Sequence, residues 1–392
     1  MNIVFHSHVV LLNDFGGFSD AEGCFIIRKN GNGFEFKFTL EVHIDDIIAL
    51  EYIKRNLNIG KIKPSNTLPK ASFIVSAQHE IATIIAIFSM FNLNTTKHLN
   101  FIDFEYAFKL YVDNTSKDAR LNIKSIIENI KEGMNSKRAD FSLPECHKVS
   151  ITTYWLLGFI EGDGSFFLDS SNKSLVFSLK QKGNEMLAIT IKNFLDSLAV
   201  IGFNSGVKIN KDPEGFVLRV IDLTFIELVL VPLLKPLSWH SKKYSDFEDW
   251  CLILEFLKNG YHYIPEGMSL INRVKSQMNN RRLTTSGLAP VNRVQLHADI
   301  VEFLNNRSSN YVIKNGRTFI VSLNKFKKEA LIILLVDVST GNTLSSFSST
   351  EACAKFKVSR DTISTWIRAG KEFLFNGTLV YICYSNKKPY SL

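Results

Sequence analysis

The chain has 392 residues, is 45% hydrophobic and 21% charged, and carries a formal net charge of +8. That composition excludes a disordered chain and fits a globular protein of two or three domains. The charge is uneven, with +8 over residues 271–330, +3 over 331–392 and −3 over 1–270, which points to a polyanionic partner most strongly for the last third.

Five well-separated cysteines without a CxxC pair argue against structural zinc and a disulfide framework. No apolar run approaches the roughly 18 residues of a membrane span, and no membrane role is expected. The opening MNIVFHSHVVLLND has no Lys or Arg, so it lacks the charged start of a signal or transit peptide. Over VVLLNDFGGFSDAEG the pattern predicts a helix, with Asn13 or Asp14 as its cap and Gly23 as its left-handed stop. Gly16 and Gly17 inside it cost roughly 1 kcal/mol each. Close approach of a second helix backbone would offset that cost.

Such a helix is available. FGGFSDAEGCF at 15–25 recurs in layout as LLGFIEGDGSF at 156–166, with Gly158 at the matching place. Two helices packed through these glycines bring Glu22 and Asp163 together at their C-terminal ends. Carboxylates there oppose both macrodipoles and repel each other. A hard divalent cation bound by carboxylate and carbonyl oxygens resolves the conflict. A pair of solvated surface helix ends is the alternative that the repeat alone leaves open. A calcium-hand loop does not fit, because its glycine belongs at position six and here stands at position four.

After each motif the period changes to two. CFIIRKNGNGFEFKFTLEV reads as a hairpin about Asn-Gly, and SFFLDSSNKSLVFSLKQ as its counterpart. A helical pattern, a second extended region and further helices follow in each copy, giving helix, hairpin, helix, hairpin, helix twice. The copies also share Thr/Ser-Lys at Lys97 and Lys242, followed by Asp-Phe-Glu at 103–105 and 246–248. The exposed strand positions are polar and often cationic: Arg28, Lys37, Lys61, Lys63 and Lys70 in the first copy; Lys173, Lys180, Gln181, Lys208, Lys211 and Arg219 in the second. Strand alternation lets one sheet face form core and the other a polar surface, and a two-stranded ribbon fits the DNA major groove.

The paired motif resembles the LAGLIDADG homing endonucleases of the single-chain type, with FGGFSDAEG and LLGFIEGDG in the nine motif positions. The likeness extends through VHIDD, LNIGKI, TTKHLNFIDF, LKQKGN, SKKYSDFEDW and MNNRR, covering residues 10 to about 283. It implies an α+β fold of two pseudo-symmetric αββαββα halves with saddle-shaped antiparallel sheets that straddle duplex DNA. It further implies Glu22 and Asp163 as ligands of Mg2+ or Mn2+, the carbonyls of Ala21 and Gly162 as co-ligands, and metal-assisted cleavage of one strand per site. Lys97 and Lys242 match basic positions near the scissile phosphates, and Gln181 a polar position near the metal where the first copy has His43. The sequence departs from the family pattern at Glu161, Gly162 and Ser19 while keeping both metal-binding acids. The resemblance also implies a monomer, an intron-encoded origin and mitochondrial residence. It leaves open intron RNA as a partner, since relatives include RNA maturases.

The tail reads as a separate module. VDVSTGNTLSSF predicts a hairpin, and SSTEACAKFKVSRDTISTWIRAG a helix, turn and helix with Ser348 and Glu351 as a capping box and Ser359 capping the second helix. It resembles the small nuclease-associated modular DNA-binding domains, which implies DNA contacts from Arg360, Thr362, Ser364 and Arg368. The expected domains are therefore 10–140 and 150–283 for the two halves, 284–330 for a basic linker and 331–385 for the module.

Overall fold

The computed structural model describes residues 2–171, 174–182, 185–198, 206–213, 215–289, 291–314, 317–327 and 332–384, with backbone alone at 2–8, 317, 349 and 350. The first half runs α1 (Asn2–Glu22), β1 (Gly23–Asn30), β2 (Gly33–His43), α2 (Ile47–Leu57), β3 (Lys61–Pro64), β4 (Lys70–Val75), α3 (Gln78–Met90), α4 (Lys97–Asp113) and α5 (Lys117–Glu132). The second repeats the plan with α6 (Thr153–Asp163), β5 (Gly164–Leu168), β6 (Leu175–Gln181), α7 (Glu185–Ser197), β7 (Val207–Asp212) and β8 (Gly215–Val220). It continues through α8 (Leu223–Phe225), a π turn, α9 (Val231–Leu234), α10 (Lys243–Lys258) and α11 (Pro265–Lys275). The sheets are antiparallel with matching orders, β1-β2-β4-β3 and β5-β6-β8-β7.

The helix α1 begins well before the expected cap. Asn13 lies mid-helix, donates back to the Val9 carbonyl (2.8 Å) and accepts from Thr152 of the second half (3.1 Å). Neither Asn13 nor Asp14 caps, because the apolar residues before them continue the helix. Gly23 and Gly164 start strands rather than a left-handed stop. What each needs is space: a Cβ would sit 2.5 Å from the Ser19 carbonyl at Gly23 and 2.6 Å from the Ile160 carbonyl at Gly164.

Alternation along the strands sends Phe25, Phe36, Phe38, Leu40 and Phe73 inward, where they meet Phe88, Phe101 and Phe104 from the helices. The second core is built likewise around Phe166, Phe177, Phe247 and Trp250. Each half closes on a 3-10 turn held by an asparagine at φ 55°, Asn135 and Asn279. Their side-chain amides donate to the carbonyls of Phe25 and Phe166, at 2.8 and 3.0 Å. The sequences here, MNSKR at 134–138 and MNNRR at 278–282, are a further repeat. Asparagine suits the left-handed region better than most side chains do.

Where described, residues 284–330, the expected basic linker, are folded. They contain α12 (Arg293–Asn305) and a small sheet of β9 (Tyr311–Lys314), β10 (Arg317–Ile320) and β11 (Lys325–Phe326). Leu296 and Ile300 of α12 are fully buried in the second core, and Phe303 stacks on Phe256. The tail forms β12 (Ile332–Asp337), β13 (Thr343–Ser348), α13 (Ser349–Phe356), α14 (Arg360–Ala369), β14 (Glu372–Phe375) and β15 (Thr378–Tyr384) around its own core of Ile333, Leu335, Ala352, Ile363, Val380 and Ile382. Both halves of the Ser348–Glu351 capping box are made, and Ser359 caps α14. The last hairpin, β14–β15, completes the tail sheet in the order β13-β12-β15-β14.

Candidate metal and nucleic-acid site

Helices α1 and α6 pack backbone to backbone. A Cβ at Gly17 would stand 1.9 Å from the Trp155 carbonyl oxygen, and one at Gly158 2.0 Å from that of Asp14. Gly162 meets the Ala21 side chain in the same way, at 2.3 Å from a Cβ, and lies 3.4 Å from Glu22 Oε1 by the same measure. Glu22 and Asp163 are thereby set side by side where the helices end. Burial pushes both carboxyl pKa values up, and Asp163 pushes Glu22 further; Lys97 and Lys243 oppose the shift in both. Asp163 lines two clefts. One of about 770 Å3 also holds Glu22, Gly162, Lys242 and Lys243, and the other of about 450 Å3 holds Ala21, Lys97, Lys180 and Gln181.

The first acid of each motif is a brace. Asp20 accepts from the amides of Asn94 (2.7 Å) and Thr95 (2.9 Å), the Thr95 hydroxyl and the Trp155 indole. Glu161 accepts from the amides of His240 (2.7 Å) and Ser241 (2.6 Å). Each carboxylate thus ties down the segment that enters α4 or α10, and so places the lysine two residues later. In the first half that lysine is Lys97, whose ammonium donates to the Ala21 carbonyl at 2.5 Å and whose pKa is lowered by burial. In the second half it is Lys243, which donates to the Gly164 carbonyl at 2.7 Å.

Lys242, paired with Lys97 on sequence, occupies a different place. Its ammonium meets Asp45 at 3.1 Å and its amide donates to Asp46 at 2.6 Å, both in the first half. Lys243, which the Thr/Ser-Lys match did not find, stands in the second half where Lys97 stands in the first. Gln181 donates to Asp163 at 2.6 Å. Strand register puts Val42 opposite it in pseudo-symmetry, since Gly23 pairs with Leu40 and Gly164 with Leu179. His43, one residue on, turns instead to Thr285 (3.1 Å) and Asp45.

Arg28, Lys37, Lys61, Lys63 and Lys70 share the open face of the first sheet, as do Lys180, Lys208 and Arg219 in the second. Lys211 does not. It pairs with Phe216 on the face of Val207 and Ile209, and is exposed because it stands at the strand end. Lys173 lies outside the described residues. On α14, Arg360 and Arg368 are exposed, whereas Thr362 bonds to Ser359 (2.9 Å) and Ser364 to the Tyr384 hydroxyl (3.1 Å).

Two carboxylates and backbone carbonyls form a donor set suited to a hard divalent cation, and the nearby lysines suit a phosphate beside it. Among the described residues no cluster of three or more His, Cys, Asp or Glu could hold a metal. The remaining ligands would then be carbonyl, water and phosphate oxygens.

A family model described as LAGLIDADG endonuclease matches residues 15–108 and 156–254. The chain is 26% identical over 288 residues to the uncharacterized mitochondrial protein RF1 of Saccharomyces cerevisiae, covering 68% of this chain and 59% of that protein. It is 27% identical over 286 residues to the probable intron-encoded endonuclease 3 of Neurospora crassa, covering 66% and 52%. The chain thus spans little more than half the length of these curated relatives. Among solved structures it is similar to the I-LtrWI LAGLIDADG homing endonuclease bound to target DNA, with 26% identity and a TM-score of 0.60 over 70% of this chain and 99% of that one. I-SmaMI bound to uncleaved DNA target in the presence of calcium ions gives 25% identity and a TM-score of 0.57, over 68% and 98%.

Proposed function

Given that the chain belongs to the LAGLIDADG endonuclease family, with both motifs in one polypeptide, we propose that it is a site-specific endonuclease that breaks both strands of a long, roughly pseudo-palindromic DNA target with Mg2+ or Mn2+. The observation that carries this reading is the placement of Glu22 and Asp163 side by side, with Asp163 shared by two clefts that each have their own half-buried lysine. The carboxylates of Glu22 and Asp163, with the carbonyls of Ala21 and Gly162, would hold the cations. When bound, a divalent cation activates water and offsets charge on the phosphate and the leaving oxygen.

The chain's own residues do the rest. Gln181 fixes the orientation of the Asp163 carboxylate. Lys97 and Lys243 place positive charge where phosphate oxygens would lie, which stabilises developing negative charge. Lys97 donates to the Ala21 carbonyl, an oxygen that would also serve a bound cation. The open sheet faces take the duplex, with Arg28, Lys61, Lys63, Lys208 and Arg219 among the contacts, and Arg360 and Arg368 of the tail add contacts outside the core.

Because α1 and α6 come from one chain, the site is complete in a monomer. The similar structures are DNA complexes, which favours duplex DNA over intron RNA as the partner. Mitochondrial residence is proposed from the yeast relative, itself a mitochondrial protein by name.

The test is selection of cleaved sequences from a randomised duplex library with Mg2+ or Mn2+. Recovery of one long consensus supports the proposal, and a confirmed bound site that no divalent cation renders cleavable refutes it. On that target, Lys243→Ala is expected to lower the cleavage rate on the order of 100-fold. Lys242→Ala should change it little, because its ammonium is engaged by Asp45, whose side chain is only 8% exposed. The reverse order would return the role to Lys242.

A further inference from the structure

We propose that Glu41 and Lys180 make the two half-sites of the DNA target unlike, Glu41 selecting a cytosine and Lys180 a guanine at corresponding positions. The inference rests on the DNA reading above and deepens it. The correspondence comes from register. Gly23 at the head of β1 pairs with Leu40, and Gly164 at the head of β5 with Leu179. The next residues, Glu41 in β2 and Lys180 in β6, therefore occupy one pseudo-symmetric place on the open faces, with side chains 52% and 50% exposed.

Both stand beside the metal site. The charge of Glu41 acts on Glu22, and Lys180 lines the cleft of Lys97 and Asp163. Each is held by an ion pair of opposite sense. Glu41 accepts from Lys70 at 2.6 Å across to β4, and Lys180 meets Asp212 of β7 at 3.0 Å. The cross-strand neighbours differ too, with Ser72 beside Glu41 and Val217 beside Lys180.

By contrast, Lys61 and Lys208 fall at one register place in both halves, opposite Ile74 and Arg219. A cation common to both halves suits the phosphate backbone, which is the same under both. A carboxylate cannot serve there, because a phosphate repels it. A base edge can take it: the cytosine N4 amino group donates to a carboxylate, and guanine O6 and N7 accept from lysine. Glu41 is thus a specificity element, pre-oriented by Lys70, and Lys180 is its opposite in the other half.

The experiment sequences the duplexes that the full chain retains from a randomised library, for the wild type, Glu41→Gln, Glu41→Lys and Lys180→Gln. The wild type is expected to prefer cytosine at one position near the centre and guanine at its pseudo-symmetric counterpart, each on the order of 10-fold. Glu41→Gln should shift the first preference to adenine, Glu41→Lys should shift it to guanine and make the half-sites alike there, and Lys180→Gln should alter only the second. Unchanged base preference in all three variants, with the rest of the site still selected, overturns the inference while leaving the endonuclease reading intact. The same holds for a uniform loss of retention without a change of consensus, which would make both residues general electrostatic or structural groups. Failure of the wild type to enrich any duplex removes the endonuclease reading and this inference together.

Discussion

Gly17→Ala and Gly158→Ala are each expected to destabilise the protein by about 3 kcal/mol or more, the upper end of what overpacking a buried contact costs. The added carbon would stand about two ångströms from a carbonyl oxygen of the opposing helix, 1.9 Å at Gly17 and 2.0 Å at Gly158. Backbone cannot rotate away as a side chain can, so α1 and α6 must separate. Separation would also part Glu22 from Asp163, and cleavage should fall with stability. Gly16→Ala is the control. Its Cβ meets nothing closer than Trp155 Cδ1 at 3.7 Å, and alanine favours the helix by about 1 kcal/mol. Urea unfolding of the three variants reads this directly. Equal behaviour at positions 16 and 17 would contradict the packing.

Glu22→Gln and Asp163→Asn are each expected to lower double-strand cleavage about 1000-fold, several kcal/mol of lost transition-state stabilisation, while leaving DNA retention largely intact. They should also raise stability at neutral pH when no divalent cation is present. Both carboxyl pKa values are raised in the folded protein. The neutral acid is therefore the form that folding favours. Its contribution is complete below the unfolded pKa and is lost as pH rises through the folded one. An amide stays neutral throughout, so the variants gain on the wild type at neutral pH and the gain closes in acid. Thermal melts in EDTA across pH measure it. The cleavage rate should have the opposite dependence, falling in acid at a higher pH than an ordinary carboxylate would give, and higher cation concentration should move that limb downward. Variants less stable than wild type at neutral pH would mean that Glu22 and Asp163 are not strained by burial and mutual repulsion.

Much of this site is legible in the sequence because its constraints are local and repeated. Glycines inside an apolar helix have few explanations, and the same offset that aligns Gly17 with Gly158 aligns Glu22 with Asp163. What resists reading depends on how far a loop travels. Asp20 grips the amides of Asn94 and Thr95, and Glu161 those of His240 and Ser241. Counting from those anchors makes Lys243 the partner of Lys97, but only the folded chain shows where the anchors fall. Lys211 resists reading for a related reason, since exposure at a strand end does not reveal the face.

Composition hid a third feature. The basic charge over 271–330 suggested a linker, yet Leu296, Ile300 and Phe303 carry a helical stripe that packs on the second half. Two further signals stand in the sequence itself. One is the MNSKR echo of MNNRR. The other is Asn376-Gly377, both at positive φ, which turns the final hairpin of the tail; such a pair is a common two-residue hairpin turn.

The central claim, that Glu22 and Asp163 together hold the cations against the DNA backbone, is tested most directly by crystallising the chain on its selected target with Mn2+ and mapping the anomalous signal. The prediction is Mn2+ within about 2.0–2.3 Å of carboxylate oxygens of both residues and of a target phosphate. Manganese bound elsewhere, or a DNA complex at saturating Mn2+ with both carboxylates turned away from the phosphates, would contradict it.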